Sequence, residues 1–126
     1  MKGNGRAFCV GGDLKHLKEA FTGAPDPDAA MRALQMYSQM YETHHLLGTM
    51  NKPVVTIMDG LTCGVGTGLA AFSQFRIATE RTRLAMPETS SGTFCDMGSS
   101  FFMPRMDNNV GVYMAMTARF LKAEDV

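Results

Sequence analysis

The chain has 126 residues, of which 45% are hydrophobic and 19% are charged, a balance typical of a globular domain rather than a disordered one. Lys plus Arg and Asp plus Glu both total 12, so the formal charge is zero. Because no basic run stands out, the sequence carries no signal for direct nucleic-acid binding through phosphate contacts. Its apolar stretches are far shorter than the roughly 20 residues that cross a bilayer.

The chain has three cysteines, Cys9, Cys63 and Cys95, and no C-x-x-C pair. The odd count and the spacing disfavour a disulfide scaffold and a zinc site, and they favour a reducing compartment. We therefore expect no metal ion. No signal peptide and no basic amphipathic targeting segment is visible in this chain.

The first predicted element is a short extended run at residues 7–10, which ends in the turn Gly11-Gly12-Asp13. Apolar residues then recur at helical spacing over residues 14–21. Asp13 is well placed as the N-cap of this helix, because its side chain can accept a free N–H of the first turn.

A longer helix is predicted to start after Asp28 and to stop near Gly48. The adjacent His44 and His45 point apart on such a helix, and we expect both at its surface or boundary. The residues expected on its apolar side are Met31, Leu34, Leu46, and either Tyr37 or Tyr41.

The second half of the chain alternates strands with helices. The β-branched run at residues 54–58 predicts a buried strand, and a glycine-rich turn at residues 64–68 opens a small-residue helix at 69–72. Two further extended segments are predicted at residues 75–79 and 83–86. This alternation predicts an α/β layer architecture.

The remaining segment is predicted as a Ser/Gly-rich loop at residues 90–100, a helix at 109–117 and the start of a helix at 121–126. The first residues indicate a loop and turn in mid-domain, and the last break off within an element. We therefore expect the chain to be a central fragment, with residues 1–126 forming one partial core domain.

The two glycine turns each lie between an extended run and a helix, a place where backbone N–H groups and the helix dipole favour an anion. Two such turns could supply the pair of N–H donors that an oxyanion hole requires. Either turn alone could instead serve tight packing of a helix on a sheet. The second has the spacing G-x-G-x-G, which disfavours a dinucleotide site, and the absence of G-K-[ST] excludes a P-loop.

Glu88 follows the third extended segment of the second half, where a carboxylate is placed to act as base or nucleophile. Asp96, in the loop beyond it, is a candidate partner. A loop glutamate is more often simply solvated. Cys63 beside the second turn is a weaker candidate nucleophile.

Taken together, these motifs resemble the crotonase (enoyl-CoA hydratase/isomerase) superfamily over nearly the whole chain. The segment Ala85-Met86-Pro87-Glu88-Thr89 narrows the resemblance to its 3-hydroxyisobutyryl-CoA hydrolase branch. The resemblance implies an α/β fold of repeated ββα turns forming a spiral, here incomplete, without its N-terminal strands and C-terminal helices. The stretches that carry it are residues 5–13, 52–55, 59–69, 74–80, 85–89, 94–105 and 115–126.

By position, the resemblance implies that the N–H groups of Gly12 and Val65 form the oxyanion hole. It implies that Glu88 acts on the thioester or on water, and that Asp96 assists proton transfer. Coenzyme A would be part of the substrate rather than a separate cofactor. Hydratases of the superfamily carry a glutamate at the position of Gly68, so the glycine favours hydrolysis.

Three positions depart from the hydrolase pattern. Val65 replaces a glycine, and a β-branched residue disfavours a positive φ. Met40 stands where the long helix would carry an active-site glutamate, with Gln39 beside it, and Cys95 replaces a proline.

These departures keep three hypotheses open. The first is a 3-hydroxyisobutyryl-CoA hydrolase of valine breakdown, and the second is a catalytically decayed homologue serving as a small-subunit protein of the mitochondrial ribosome. A hydratase or isomerase is the third. The resemblance places the protein in mitochondria, with an acyl-CoA as substrate and a protein partner or a second copy of itself as possible associates.

Overall fold

The computed structural model describes residues 1–15, 18, 22, 26 and 28–126. Short strands form two sheets, one with the strand order β1-β3-β5-β6 and one in which β2 pairs with β4. The strands are β1 (Ala7–Cys9), β2 (Val55–Met58), β3 (Leu61–Cys63), β4 (Phe75–Ala78), β5 (Arg83–Ala85) and β6 (Leu121–Lys122).

Most of the pairing is parallel. β1 runs parallel to β3, β3 to β5, and β2 to β4, so the carboxyl ends of β1, β3 and β5 meet at one edge of the larger sheet. β6 alone among the named strands is antiparallel to its neighbour, with Leu121 opposite Leu84 of β5. That shared edge is where the candidate active site lies.

The helices lie against these sheets. The longest is α1 (Ala29–Thr49), followed by α2 (Val65–Ala71), α3 (Ser99–Phe102) and α4 (Val110–Thr117). Short 3₁₀ turns cover Pro87–Ser91, Met103–Arg105, Asp107–Asn109 and Ala123–Asp125. None of the helices in the described ranges is both long and apolar enough to cross a membrane.

A methionine-rich core fills the space between the larger sheet, α2 and α4. Met86 and Met114 are fully buried, and flexible thioether side chains suit the irregular gaps between short elements. The other buried members of the cluster are Met58, Ala70, Leu84, Phe102, Met103 and Leu121.

The predicted long helix is confirmed, with Asp28 at its N-cap position, and it ends one residue beyond Gly48. Its predicted apolar face is wrong, because the residues that α1 buries are Ala29, Ala33, His44 and Leu47. The predicted face is exposed by 58% at Met31, 64% at Leu34 and 59% at Leu46. Apolar residues occur on every side of this helix, so their spacing in the sequence does not determine which side packs against the rest of the protein.

The prediction for the two histidines is wrong for His44, which is only 4% exposed, whereas His45 is exposed. At Gly48 a Cβ would lie 2.9 Å from the Phe72 ring. This glycine therefore permits close packing rather than ending the helix.

In the second half, the strands predicted at 54–58, 75–79 and 83–86 and the helix at 109–117 are confirmed to within one residue at each end. The prediction missed β3, which follows the turn directly, and it began α2 four residues late. Residues 90–100 include the start of α3. The helix start predicted at residues 121–126 is wrong at its first two residues. Leu121 and Lys122 form β6, which pairs with β5, and a 3₁₀ turn follows.

Much of the helix predicted at 14–21 lies outside the described residues. Within them, the Asp13 carboxylate accepts the N–H of Lys15 at 3.0 Å, the bond expected of an N-cap residue.

Candidate active site

The turn between β3 and α2 contains a glycine whose backbone conformation other residues rarely adopt. Gly64 has φ 54° and ψ −116°, a conformation that glycine adopts far more readily than other residues, and its N–H donates to Ala85 O at 3.1 Å. Val65 begins α2 and is not among the described residues with positive φ. The valine at this position therefore carries no strain from the turn, because Gly64 takes the unusual φ.

The two glycine turns of the sequence lie against each other. Gly11 has φ 97°, and a Cβ built on it would lie 3.7 Å from Cys63 O and 3.9 Å from Val65 N. A Cβ on Gly66 would come within 2.2 Å of Cys9 O, so a glycine is needed where α2 packs on the end of β1.

The backbone N–H of Val65 points out of the second glycine turn. Gly64 O accepts the N–H of Gly68 at 3.0 Å, and in a trans peptide the N–H on the other side of that bond, from Val65, points the opposite way, out of the helix start. Within the described part of the chain, no hydrogen bond engages the N–H of Val65 or of Gly12. Both N–H groups are therefore unengaged, and Gly12 follows Gly11, whose would-be Cβ lies 3.9 Å from Val65 N.

A buried threonine holds the second turn in place. The Thr67 hydroxyl lies 2.8 Å from Ala85 O and 3.1 Å from Thr62 O, and can donate its proton to either carbonyl. It therefore ties the first turn of α2 to the ends of both β3 and β5.

Glu88 reaches the same turn from β5. The fully buried Ala85 and Met86 lead into the 3₁₀ turn Pro87–Ser91, which directs the carboxylate inward. Its Oε1 lies 2.7 Å from the position that a Cβ on Gly64 would occupy. Its Oε2 is buried, and no group in the described ranges donates a hydrogen bond to it. A buried carboxylate oxygen without a donor is uncommon and is poised to accept a proton or a ligand N–H or O–H.

Burial raises the pKa of Glu88 above its ordinary value, and the charge of Asp96 adds to the rise, while its own backbone N–H and the nearby Cys95 thiol lower it. Burial and the neighbouring Glu88 raise the pKa of both Cys63 and Cys95 to about 11. Both cysteines are therefore thiols at neutral pH, which disfavours Cys63 as a nucleophile.

Asp96 is held from the long helix. The Tyr41 hydroxyl donates to Asp96 Oδ2 at 3.1 Å, and this contact and burial raise the pKa of the tyrosine. The sequence predicts Tyr41 only as a candidate for the apolar side of the long helix, and its contact with Asp96 is not predicted. Its spacing of three from His44 is the signal that both lie on one helix face.

The space beside Gly68 is already filled. A Cβ on Gly68 would lie 2.7 Å from His44 Nε2 and 2.9 Å from Met97 Cβ. A glutamate at this position would require both side chains to move.

The comparisons with known proteins place this arrangement in a family. The family model described as "Enoyl-CoA hydratase/isomerase" matches residues 1–126. The chain belongs to the enoyl-CoA hydratase/isomerase family. Its fold is accordingly the crotonase fold, as the sequence predicts.

Two curated relatives and one solved structure illustrate the range of this family. The chain is 44% identical to the small ribosomal subunit protein mS47 of Neurospora crassa, covering 100% of this chain and 25% of that protein. It is 41% identical to the mitochondrial 3-hydroxyisobutyryl-CoA hydrolase of Mus musculus, covering 97% of this chain and 30% of that protein. A carnitinyl-CoA dehydratase from Mycobacterium thermoresistibile superposes with a TM-score of 0.84 at 28% identity, covering 98% of this chain and 35% of the other.

The chain therefore spans 25% to 35% of the length of these proteins. Within the part that the structure describes, no three His, Cys, Asp or Glu side chains are grouped so that they could hold a metal ion.

Proposed function

We propose that this protein is an acyl-CoA thioester hydrolase, and that its substrate is 3-hydroxyisobutyryl-CoA. The observation that carries the proposal is that the partly buried Glu88 carboxylate and the unengaged N–H of Val65 meet at the turn around Gly64, with the unengaged N–H of Gly12 in the adjacent turn. This is the set of groups that acyl transfer needs: donors for the developing oxyanion and a base or nucleophile beside it.

In the proposed reaction the thioester oxygen lies between the N–H groups of Gly12 and Val65. Glu88 takes a proton from water as the water oxygen bonds to the carbonyl carbon, and the carbonyl electron pair moves onto the oxygen. Collapse of this intermediate re-forms the carbonyl and breaks the C–S bond. The coenzyme A thiolate leaves and takes up the proton that Glu88 had accepted, with Asp96 assisting the transfer. A direct attack by Glu88 on the carbonyl carbon would use the same geometry.

The surroundings of Glu88 suit a base. Because burial raises its pKa, the carboxylate is a stronger proton acceptor than an exposed glutamate. Hydration of a double bond would be helped by a second carboxylate at residue 68, and His44 and Met97 occupy the space beside Gly68. The site therefore favours hydrolysis over hydratase chemistry.

The substrate and compartment follow from similarity rather than from the site. The mouse relative is a mitochondrial 3-hydroxyisobutyryl-CoA hydrolase, and we propose the same substrate and a mitochondrial location for this protein. Coenzyme A enters as part of the substrate, and the proposed steps use no separate cofactor.

The test is release of free thiol from 3-hydroxyisobutyryl-CoA by the purified full-length protein. Glu88→Gln should lower kcat by about 10²-fold or more, since a positioned base contributes that much or more. The exposed Glu80 provides a matched control, and Glu80→Gln should leave the rate unchanged. Absence of turnover in the wild type, or equal rates for wild type and Glu88→Gln, contradicts the proposal.

A second candidate is a structural role in the small subunit of the mitochondrial ribosome. The observation that favours it is the 44% identity to mS47 of Neurospora crassa over the whole chain. The formal charge of zero fits contact with protein better than contact with RNA. Co-sedimentation of the tagged protein with small subunits from mitochondria, together with an inactive wild type in the thiol assay, would favour this role over hydrolysis.

A further inference from the structure

A buried histidine joins the long helix to the candidate active site. His44 lies on α1 and is 4% exposed, with its ring edge-on to Phe72 at a centroid distance of 6.3 Å. The proposed reaction gives it no role. Buried polar groups of this kind normally have hydrogen-bond partners, and the partners of His44 are informative.

Both ring nitrogens face backbone carbonyls. Nδ1 lies 2.7 Å from Met40 O, one turn back along α1, and Nε2 lies 3.3 Å from Val65 O in the first turn of α2. A neutral imidazole has one N–H and can donate to only one of these oxygens, whereas a doubly protonated ring donates to both. The Nε2 contact spans 21 residues of sequence and links two separate helices.

The ring fits because residue 68 is a glycine. A Cβ there would lie 2.7 Å from His44 Nε2 and 2.9 Å from Cδ2, closer than real Cβ atoms approach such atoms. His44 and Gly68 are therefore complementary, since the imidazole occupies the volume that a side chain at 68 would need.

The contact lies next to the proposed oxyanion donor. The peptide before Val65 is anchored through Gly64 O, which accepts the Gly68 N–H at 3.0 Å. Val65 O, in the peptide after Val65, lies 3.3 Å from His44 Nε2, which holds this peptide when Nε2 carries a proton. Because each peptide is planar, two anchored planes leave the residue between them little freedom to turn its N–H.

We infer that His44 is a positioning residue for the thioester site, which donates from Nε2 to Val65 O and so keeps the Val65 N–H directed at the substrate oxygen. The inference rests on the proposed function, because it assigns the Val65 N–H as an oxyanion donor. The inferred bond requires that Nε2 carries a proton.

A pair of amide variants separates this role from simple packing. The side-chain nitrogen of glutamine can take the place of Nε2, whereas the shorter asparagine can replace only Nδ1. We expect His44→Asn to lower kcat about 10-fold or more with a smaller change in KM, since small displacements of catalytic groups have large effects on rate. His44→Gln should restore most of the loss, and the exposed neighbour offers the control His45→Asn, which should match the wild type.

Equal kcat for the asparagine and glutamine variants, with both folded by circular dichroism, overturns the inference while the proposed function stands. If the wild type itself releases no thiol, the proposed function fails and the amide of Val65 decides the inference. In that case the Val65 ¹H–¹⁵N resonance should move in His44→Asn and return towards the wild-type position in His44→Gln.

A measurement on the unaltered protein covers the case in which the variants do not fold. Long-range ¹H–¹⁵N spectra of the histidine rings report directly whether a nitrogen carries a proton. A protonated His44 Nε2 supports the inference, and an unprotonated Nε2 overturns it.

Discussion

The two sheets of this molecule differ in how fully the described residues cover them. At the carboxyl edge of the larger sheet, Thr62, Ala85 and Met86 are completely buried, and the turn after β3 is held by hydrogen bonds from the Gly64 N–H and the Thr67 hydroxyl. In the smaller sheet, every residue of β4 is exposed, including Phe75 at 58% and Ile77 at 47%.

The difference shows which contacts build the site. The site is built from the ends of β1, β3 and β5, the start of α2 and the polar face of α1, which all belong to the described residues. A cavity of about 560 Å³ is lined by core residues that include Met58, Leu84 and Phe102. Contacts among the described residues therefore hold Gly64, Thr67 and Glu88 in place, while apolar surface stays exposed elsewhere.

The largest effect should come from adding one methyl group at the turn. Gly64→Ala forces an L-residue into a strained conformation, costing about 1–3 kcal/mol, and drives its Cβ into the Glu88 carboxylate. We expect a loss of kcat of about 10²-fold together with a lower Tm. Thiol-release kinetics and thermal unfolding measure the two effects.

The matched control for that variant is Gly12→Ala, the same substitution in the other glycine turn. Gly12 has no atom within 4 Å of its would-be Cβ and no positive φ, and alanine keeps the N–H. Gly12→Ala should therefore retain activity within a few-fold. If both alanine variants lose activity equally, the distinction between conformational strain and N–H donation does not hold.

The next largest effect should be on the pH dependence of kcat/KM, which reports the pKa of the buried Glu88 carboxylate. Glu88 must be ionised to accept a proton, so the rate rises with pH through its pKa, which burial places above the ordinary value of 4.5. An acid limb centred at or below 4.5 would argue that Glu88 is solvated or is not the base.

The same burial predicts a smaller effect on stability. A carboxyl group whose pKa is raised by folding binds its proton more tightly in the folded state, so its contribution to stability falls as pH rises through that pKa. Glu88→Gln should therefore raise Tm at neutral pH, and the gain should shrink in acid, where Glu88 is protonated. A lower Tm at neutral pH would show that the ionised carboxylate stabilises the fold.

The smallest effect should lie on the exposed sheet. Ile77→Thr, on β4, should change the free energy of unfolding by about 0.5 kcal/mol or less, as surface substitutions usually do. Denaturant titration of the full-length protein tests this. A loss well above 1 kcal/mol would show that another part of the protein covers this face.

Much of the fold was predictable because its signals are local. The β-branched run before the second glycine turn and the flanking prolines and glycines place β2, β4 and β5 within a residue. β3 was missed because three residues directly after the tight turn at Gly60 show no recognisable alternation. β6 was missed because a two-residue strand exists only through its pairing with β5.

Some residues of the site could likewise be predicted from local sequence, and others could not. Glycine turns and a carboxylate at a strand end can be recognised in the sequence, and the structure brings the two glycine turns and Glu88 together around Gly64. Tyr41 and His44 could not be assigned, because which face of α1 meets the site depends on how the helix packs. The rotation of that helix is set by contacts with Phe72 and Val65, far away in sequence.

The most direct test of the account is the infrared carbonyl stretch of bound substrate. The Glu88→Gln protein is incubated with 3-hydroxyisobutyryl-CoA, and a ¹³C label at the thioester carbonyl isolates its band by isotope difference. Two N–H donors polarise the carbonyl, so the account predicts a bound band at lower frequency than that of the free thioester in water. A bound thioester whose band is unshifted would contradict the assignment of Gly12 and Val65 as oxyanion donors.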